Sequence, residues 1–166
     1  MYRDELKALT ADLKLNSDEV TFTSEFDESL RLEAPREVVA DLMHLCTAFV
    51  MPSVSETYSL IAQEAAASGA LLVLNRDFPP FRSIYGPDAV YFKFSSAVDM
   101  MTGEDGATTT SYDDIGGYFQ GVAGRIIYEI DGNKVLAQRV RVRKERGLDY
   151  VFKQFIEPLF YAREGK

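Results

Sequence analysis

One cysteine, Cys46, and one histidine, His44, are the chain's whole supply of two versatile chemical side chains. A lone cysteine excludes a disulfide framework within the chain and makes a reducing compartment the expected setting. Positive charge is also short. Eighteen Lys and Arg stand against 26 Asp and Glu, a formal charge of -8 and a pI near 4.7. That balance argues against nucleic acid as the main partner, because phosphate backbones demand a concentrated basic surface. A single nucleotide, which a few backbone amides can hold, stays compatible with it. No apolar run approaches the roughly 18 residues of a membrane span, and charge begins at Arg3, so neither a span nor a signal peptide is expected. There is no Gly-x-Gly-x-x-Gly for a dinucleotide and no Gly-Lys-Ser/Thr phosphate loop. Metal-ligand spacing and internal repeats are absent as well. These gaps describe a soluble cytoplasmic protein.

What remains is an ordinary globular composition, 46% hydrophobic and 12% aromatic in 166 residues, enough for one domain with a proper core. Leu6, Leu9 and Leu13 recur at helical spacing over Asp4 to Leu15. Val20 to Phe26 alternates like a strand. Pro35 suits the first position of a second helix, with Val38, Val39, Leu42, Met43 and Leu45 facing inward. The apolar run 48–51 reads as a strand and Thr57 to Ser68 as a helix capped by Gly69. Ala70 to Leu74 reads as a strand buried on both faces. One helical turn, Phe81 to Tyr85, and another strand, Ala89 to Phe94, follow. The alternation implies at least four strands separated by helices, an α/β fold with a parallel sheet covered by helices. The composition of 95–114, rich in Gly, Thr, Ser and Asp, predicts a flexible loop. Two helices are expected after it: Ile115 to Ile130, then one from Asn133 to about Glu164 that breaks or kinks at Pro158. The organisation is a core over 1–94, a loop over 95–114 and C-terminal helices of the same domain over 115–166.

The stretch Pro52 to Gly69 carries the chemistry. A buried strand ends at Met51, and a Pro-Ser turn leads into a helix whose first turn is small or hydroxylated. Ligands of open α/β sheets bind beyond the carboxyl ends of the strands, and free amides at a helix start favour an anion such as phosphate. Glu56 precedes the helix and Glu64 lies about two turns inside it. Carboxylates are poor phosphate ligands but good acceptors for sugar hydroxyls. A phosphate site with a hydroxyl-reading group on each side is what a nucleotide-sugar requires.

This stretch resembles the E-x7-E motif of retaining GT-B glycosyltransferases of family 4, the glycogen-synthase and mannosyltransferase type. It begins with Pro-Ser, ends in Glu-Ala and is followed by Gly69. The resemblance reaches from about Tyr2 to Phe94 and includes Val20-Thr21-Phe22. It implies a Rossmann-like donor-binding domain, the C-terminal half of a GT-B fold. It implies that Glu56, in the catalytic position, hydrogen-bonds the donor sugar. Thr57, Tyr58, Ser59 and Leu60 would offer amides to sugar and diphosphate, and Glu64 would hold the ribose. Transfer would run from a UDP- or GDP-sugar to a hydroxyl of a carbohydrate or lipid-linked glycan, with retention and with neither metal nor cofactor. The family has small residues around Tyr58 and Ser59, and glycine at the place of Ser24. Its donor domain also begins with a strand, a Gly-Arg segment and a Lys-bearing helix, and no Arg/Lys pair precedes Tyr2. With those groups and the N-terminal acceptor domain lacking, the isolated chain is expected to be inactive.

Other residues weigh less. Arg76, in the loop Asn75-Arg76-Asp77-Phe78-Pro79, is the cation nearest the motif in sequence and a candidate donor contact, balanced by a plain surface-loop reading. His44 reads as structural and Cys46 as a small buried hydrophobe. Glu104-Asp105 reads as a solvated pair. Arg139, Arg141, Arg143, Lys144 and Arg146 read as a solvated helix face, with peripheral attachment to a membrane as the alternative. Val151, Phe152, Phe155, Ile156, Leu159 and Phe160 form a candidate docking face. The rival to the enzyme is a non-catalytic nucleotide-sugar-binding or scaffold module; an accidental glutamate spacing on another α/β protein is a third reading.

Overall fold

The computed structural model describes residues 2–31, 33–94, 99–102, 108–111 and 115–161. The chain divides into two compact units, Met1–Ala40 and Asp41–Lys166.

In the first unit, α1 (Tyr2–Asp12) is followed by turns where a strand is expected. Asn16 Oδ1 accepts from the amides of Asp18 and Glu19, at 2.8 and 3.2 Å. Glu25 Oε2 accepts from Phe22 N–H at 3.2 Å while Glu25 N–H donates to Phe22 O at 2.8 Å. These reciprocal bonds close the backbone of Thr23–Glu25 into a 3-10 turn, so the alternation from Val20 to Phe26 does not make a strand. Lys7 reinforces the turn, pairing with Glu25 at 2.7 Å and lying over the Phe22 ring. The Asp27 carboxyl, bonded to Ser29, and the Glu25 carboxyl, bonded to Lys7, are both held below their ordinary range.

The second unit is α/β. After α2 (Arg36–Leu45), which crosses the boundary between the units, three parallel strands form one sheet in the order β1-β2-β3: β1 (Ala48–Met51), β2 (Leu71–Asn75) and β3 (Val90–Phe92). Helices α3 (Leu60–Ser68) and α4 (Pro79–Tyr85) make the crossovers, and α5 (Ile115–Ile130) and α6 (Asn133–Glu145) complete the cover. The sheet thus has one strand fewer than the alternation implies, because Val20 to Phe26 does not join it. Every residue of β2 is buried, as a central strand covered on both faces requires. Leu71 and Val73, with Val90, pack under Ile126 and Ile130 of α5 and Val135 of α6. Leu72 and Leu74 point to the opposite face by the two-residue period. Ala62, Ala65 and Ala66 of α3 are fully buried, and their small side chains let that helix lie close to β1 and β2.

Gly69 ends α3 in the left-handed region, φ 103°, its amide shared between the carbonyls of Ala65 and Ala66, which is the glycine stop expected there. On α2 only Met43 is buried; Leu42 and Leu45 are exposed, so the inward stripe is narrower than expected. Cys46 is half-buried rather than buried, its thiol donating to Met43 O and pushed up in pKa by burial.

Within 95–114, two segments pair as an antiparallel hairpin, β4 (Asp99–Thr102) with β5 (Thr108–Ser111), which corrects the loop expectation there. Thr102, Thr108, Thr109 and Thr110, half of the paired positions, favour extended backbone. Residues 95–98, 103–107 (with Glu104 and Asp105) and 112–114 lie outside the described residues. The last helix breaks at Arg146 and Gly147, not at Pro158. Glycine weakens a helix more than the other non-proline residues, and α7 (Leu148–Val151) starts afresh beyond it. A π-helical stretch, Phe152–Ile156, then leads into α8 (Glu157–Tyr161). That widened turn ends two residues before Pro158, which has no N–H to give the preceding turn. The expected extension to Glu164 lies outside the described residues.

Helix α6 brackets the unit with two stripes of long polar side chains. Lys134, Gln138 and Arg141 bond the turn before β3. Lys134 Nζ donates to Pro87 O at 2.8 Å, Gln138 Nε2 to Asp88 O at 2.5 Å, and Arg141 pairs with the Asp88 carboxylate at 2.7 Å. Arg139, Arg143 and Arg146 form the other stripe, against α3 and the segment before it. Arg139 lies against Gly69, Arg143 donates to Ala67 O at 3.2 Å, and Arg146 donates to the Tyr58 hydroxyl at 3.0 Å. Cations at the carbonyl end of α3 complement its dipole. Arg139, Arg143 and Lys144 remain exposed, as a solvated helix face requires, while Arg141 and Arg146 are half-buried against Asp88 and Tyr58.

Candidate functional site

All three strands are parallel, so the segment after Met51, the loop after Asn75 and Lys93-Phe94 leave the same edge of the sheet. The first of these, Pro52 to Ser59, holds most of the sequence-predicted site.

Three buried or largely buried side chains pin its carbonyls. Asn75, the fully buried last residue of β2, donates through Nδ2 to Pro52 O at 3.3 Å and Ser53 O at 3.4 Å, and its Oδ1 accepts from Asp77 N–H at 3.0 Å. Gln63 Nε2 donates to Tyr58 O at 3.2 Å, and Tyr85 Oη to Ser59 O at 3.3 Å. Val54 to Thr57, with Glu56, form the arch between these fastenings.

Ser59 is the pivot. Its φ of 51° and ψ of 59° are left-handed, a region that favours glycine. It is buried, and its hydroxyl lies 3.1 Å from Met51 Sδ. This backbone is why α3 begins at Leu60 and not at Thr57: a left-handed residue cannot continue a right-handed helix. It also leaves the helix start without a side-chain cap, so the first-turn amides have no intrahelical partners.

Glu56 is half-buried in the arch, Thr57 and Tyr58 are exposed before the helix, and Leu60 is exposed at its first position. Glu64 is exposed on α3 one turn inside, not two, because the helix starts late. Arg76 is exposed at the same sheet edge, its amide donating to Phe92 O at 2.7 Å. The structure thus joins Glu56, Thr57, Tyr58, Ser59 and Leu60 in one continuous arch, with Glu64 on the helix that follows and Arg76 at the neighbouring strand end.

Sequence reasoning missed Asn75, Gln63, Tyr85 and Arg146. Asn75 carried a signal, an amide closing the apolar run Leu71 to Leu74; Gln63, beside Glu64, carried none. Arg146 carried none: it lies 88 residues beyond Tyr58, and α6 alone brings its guanidinium to that hydroxyl and to within 5.9 Å of the ring centroid. The motif therefore has a cation beside it in space that its sequence neighbourhood does not supply.

Burial pushes two phenols near this edge well up in pKa: Tyr85, and Tyr91, whose hydroxyl bonds Gly86 O at 2.8 Å and which rises to about 12. A phenol raised by folding contributes stability below its unfolded pKa of about 10, and that contribution is lost as pH climbs through the folded value. A spectrophotometric titration should accordingly show late-ionising phenols, one disappearing in each of Tyr85→Phe and Tyr91→Phe. All tyrosines ionising on a single curve near pH 10 would contradict the burial of both.

Among the described residues, no group of His, Cys, Asp and Glu is arranged to hold a metal ion, and no helix is long and apolar enough to cross a membrane. No protein-family model, no curated protein and no solved structure matches the chain.

Proposed function

We propose that the chain is the donor-binding half of a retaining GT-B type glycosyltransferase, and that its three-stranded sheet is a minimal Rossmann-like core. The observation that carries this reading is the arch from Pro52 to Ser59. It rises from the carboxyl end of a parallel strand, has its carbonyls drawn to Asn75, Gln63 and Tyr85, and runs into a helix start with unpaired amides. Such an arch offers donors to a diphosphate and a carboxylate, Glu56, to sugar hydroxyls.

In this reading Glu56 accepts from hydroxyls of the donor sugar, and the Thr57 to Leu60 amides hold the diphosphate. Glu64 accepts from the ribose, and Arg76 contacts the sugar or base at the neighbouring strand end. The bond from the anomeric carbon to the diphosphate oxygen breaks. A new bond forms to the acceptor oxygen on the same face, and the acceptor proton leaves toward the departing diphosphate. Charge grows on that leaving group, and donors placed beforehand supply the electrostatic stabilisation. The acceptor, a carbohydrate or lipid-linked glycan, is bound by a further domain.

Calorimetric titration with UDP, GDP, ADP and their sugars tests the reading. One nucleotide should bind, and Glu64→Ala should weaken it by about 1–3 kcal/mol, as loss of a charged hydrogen-bond partner does. Glu56→Gln should weaken the nucleotide-sugar and leave the bare nucleotide unchanged. Binding without transfer, once an acceptor domain is supplied, would leave the non-catalytic binding module. Silence toward every nucleotide with that domain present would sink the proposal.

A further inference from the structure

Arg146 ends α6 and brings its guanidinium to the arch. Nη1 donates to the Tyr58 hydroxyl at 3.0 Å, and the guanidinium carbon lies 5.9 Å from the centroid of that ring. Burial is the main cause of the raised Tyr85 pKa, and the Arg146 charge opposes the rise, so the cation is also felt at the hydroxyl that holds Ser59 O. It therefore stands beside the two tyrosines that fasten the end of the arch. Arg125 and Arg141 pair with the carboxylates of Glu129 and Asp88, and Lys7 with that of Glu25. Among the described residues Arg146 has no carboxylate partner, only the neutral phenol.

A half-buried guanidinium with an uncharged partner keeps most of its donors and all of its charge. A phosphate accepts from such a fork through two parallel, charge-assisted bonds, which a phenol hydroxyl cannot match. Position selects the part of the ligand. Tyr58 belongs to the segment Thr57 to Leu60 assigned to the diphosphate, whereas Arg76 stands at the neighbouring strand end. On the donor-binding reading, on which this inference rests, we propose that Arg146 is the cation that takes the diphosphate of the bound nucleotide-sugar, exchanging the Tyr58 hydroxyl for phosphate oxygens. The charge that grows on the departing diphosphate then meets a cation held by α6 as well as the amides of the arch.

Calorimetric titration of the full chain with UMP and UDP, and with the guanosine and adenosine pairs, tests the assignment. In the parent the diphosphate of one base should bind more tightly than its monophosphate. Arg146→Gln should weaken that diphosphate about 10- to 100-fold, as loss of a charged hydrogen-bond partner does, and the monophosphate by less. Arg146→Lys should recover part of the loss, since it keeps the charge without the fork. Circular dichroism will verify that both variants fold. Unchanged diphosphate binding in Arg146→Gln overturns the proposal. So does an equal loss for monophosphate and diphosphate, because Arg146 would then only brace the arch through Tyr58. Failure of the parent to bind any nucleotide, with an acceptor domain supplied, would instead sink the donor-binding reading and this assignment with it.

Discussion

Gln138→Met is expected to lower the unfolding free energy by about 2–4 kcal/mol, a large effect for one polar residue. Gln138 is 1% exposed. Its Oε1 accepts from Leu72 N–H at 3.1 Å and its Nε2 donates to Asp88 O at 2.5 Å. The ladder between β2 and β3 begins only at Val73 and Val90, so one turn earlier the side-chain amide replaces the missing strand and joins the two backbones. Methionine matches the shape, so packing changes little. It cannot accept from Leu72, and a buried amide left without a partner costs about 1–3 kcal/mol. Asp88 is half-buried, and water can partly replace the donor to its carbonyl. Lys144→Met, on the exposed side of the same helix, should change stability by less than about 0.5 kcal/mol. Urea unfolding of both variants checks this. A Gln138→Met midpoint close to that of Lys144→Met would mean that the amide bridge does not hold α6. The same variant bears on the site, since a loosened α6 withdraws Arg146 from Tyr58.

The parts of the fold that were legible in sequence are those with strong local causes. Leu71 to Leu74 read as a doubly buried strand because no polar residue interrupts it, and Gly69 read as a cap because a left-handed helix end wants glycine. The Val20 to Phe26 alternation misled for the opposite reason. Period two is a burial pattern, and it makes a strand only when a neighbour completes the ladder; here Asn16 and Glu25 offer the backbone nearer partners. The start of α3 was misplaced because nothing in Thr57-Tyr58-Ser59 announces a left-handed serine. That backbone is sustained by burial, by Tyr85 on the carbonyl and by Met51 beside the hydroxyl, all of which come from elsewhere in the chain. The arginines of α6 show the same limit. Their i, i+4, i+7 spacing was visible and Arg139 and Arg143 do stay exposed, yet which groups they reach depended on where α3 and the segment before it lay. The stretch Pro52 to Ser59 was legible as a strand-to-helix connection. The residues that hold it in shape were mostly not, because they act through carbonyls, which have no sequence signature.

Asn75→Asp separates the holding role from the ligand role and carries a second large effect. The change is nearly isosteric, but it puts a carboxylate oxygen where Nδ2 now donates to the carbonyls of Pro52 and Ser53, in a fully buried position. At neutral pH the variant should lose about 3–5 kcal/mol, the range for an uncompensated buried charge. Desolvation and the facing carbonyls raise the carboxyl's pKa in the folded state. A raised folded pKa gives a contribution that is present below the unfolded value of about 4 and lost as pH rises through the folded one. The deficit relative to the parent should therefore shrink as pH falls, because the protonated acid can again donate one bond. Asn75→Ala loses the bonds at every pH and should show a deficit with little pH dependence. Glu25 and Asp27, whose lowered pKa values mean lost stability on acidification, are common to all three proteins and cancel in the comparison. Urea unfolding from about pH 4.5 to 8 measures the slope. Parallel, flat deficits for both variants would show that no charge is trapped beneath the arch. Under the transferase reading, Asn75→Asp should also weaken nucleotide-sugar binding at pH 7 and regain it on mild acidification. Glu64→Ala should not recover, since Asn75 shapes the arch and Glu64 touches the ligand.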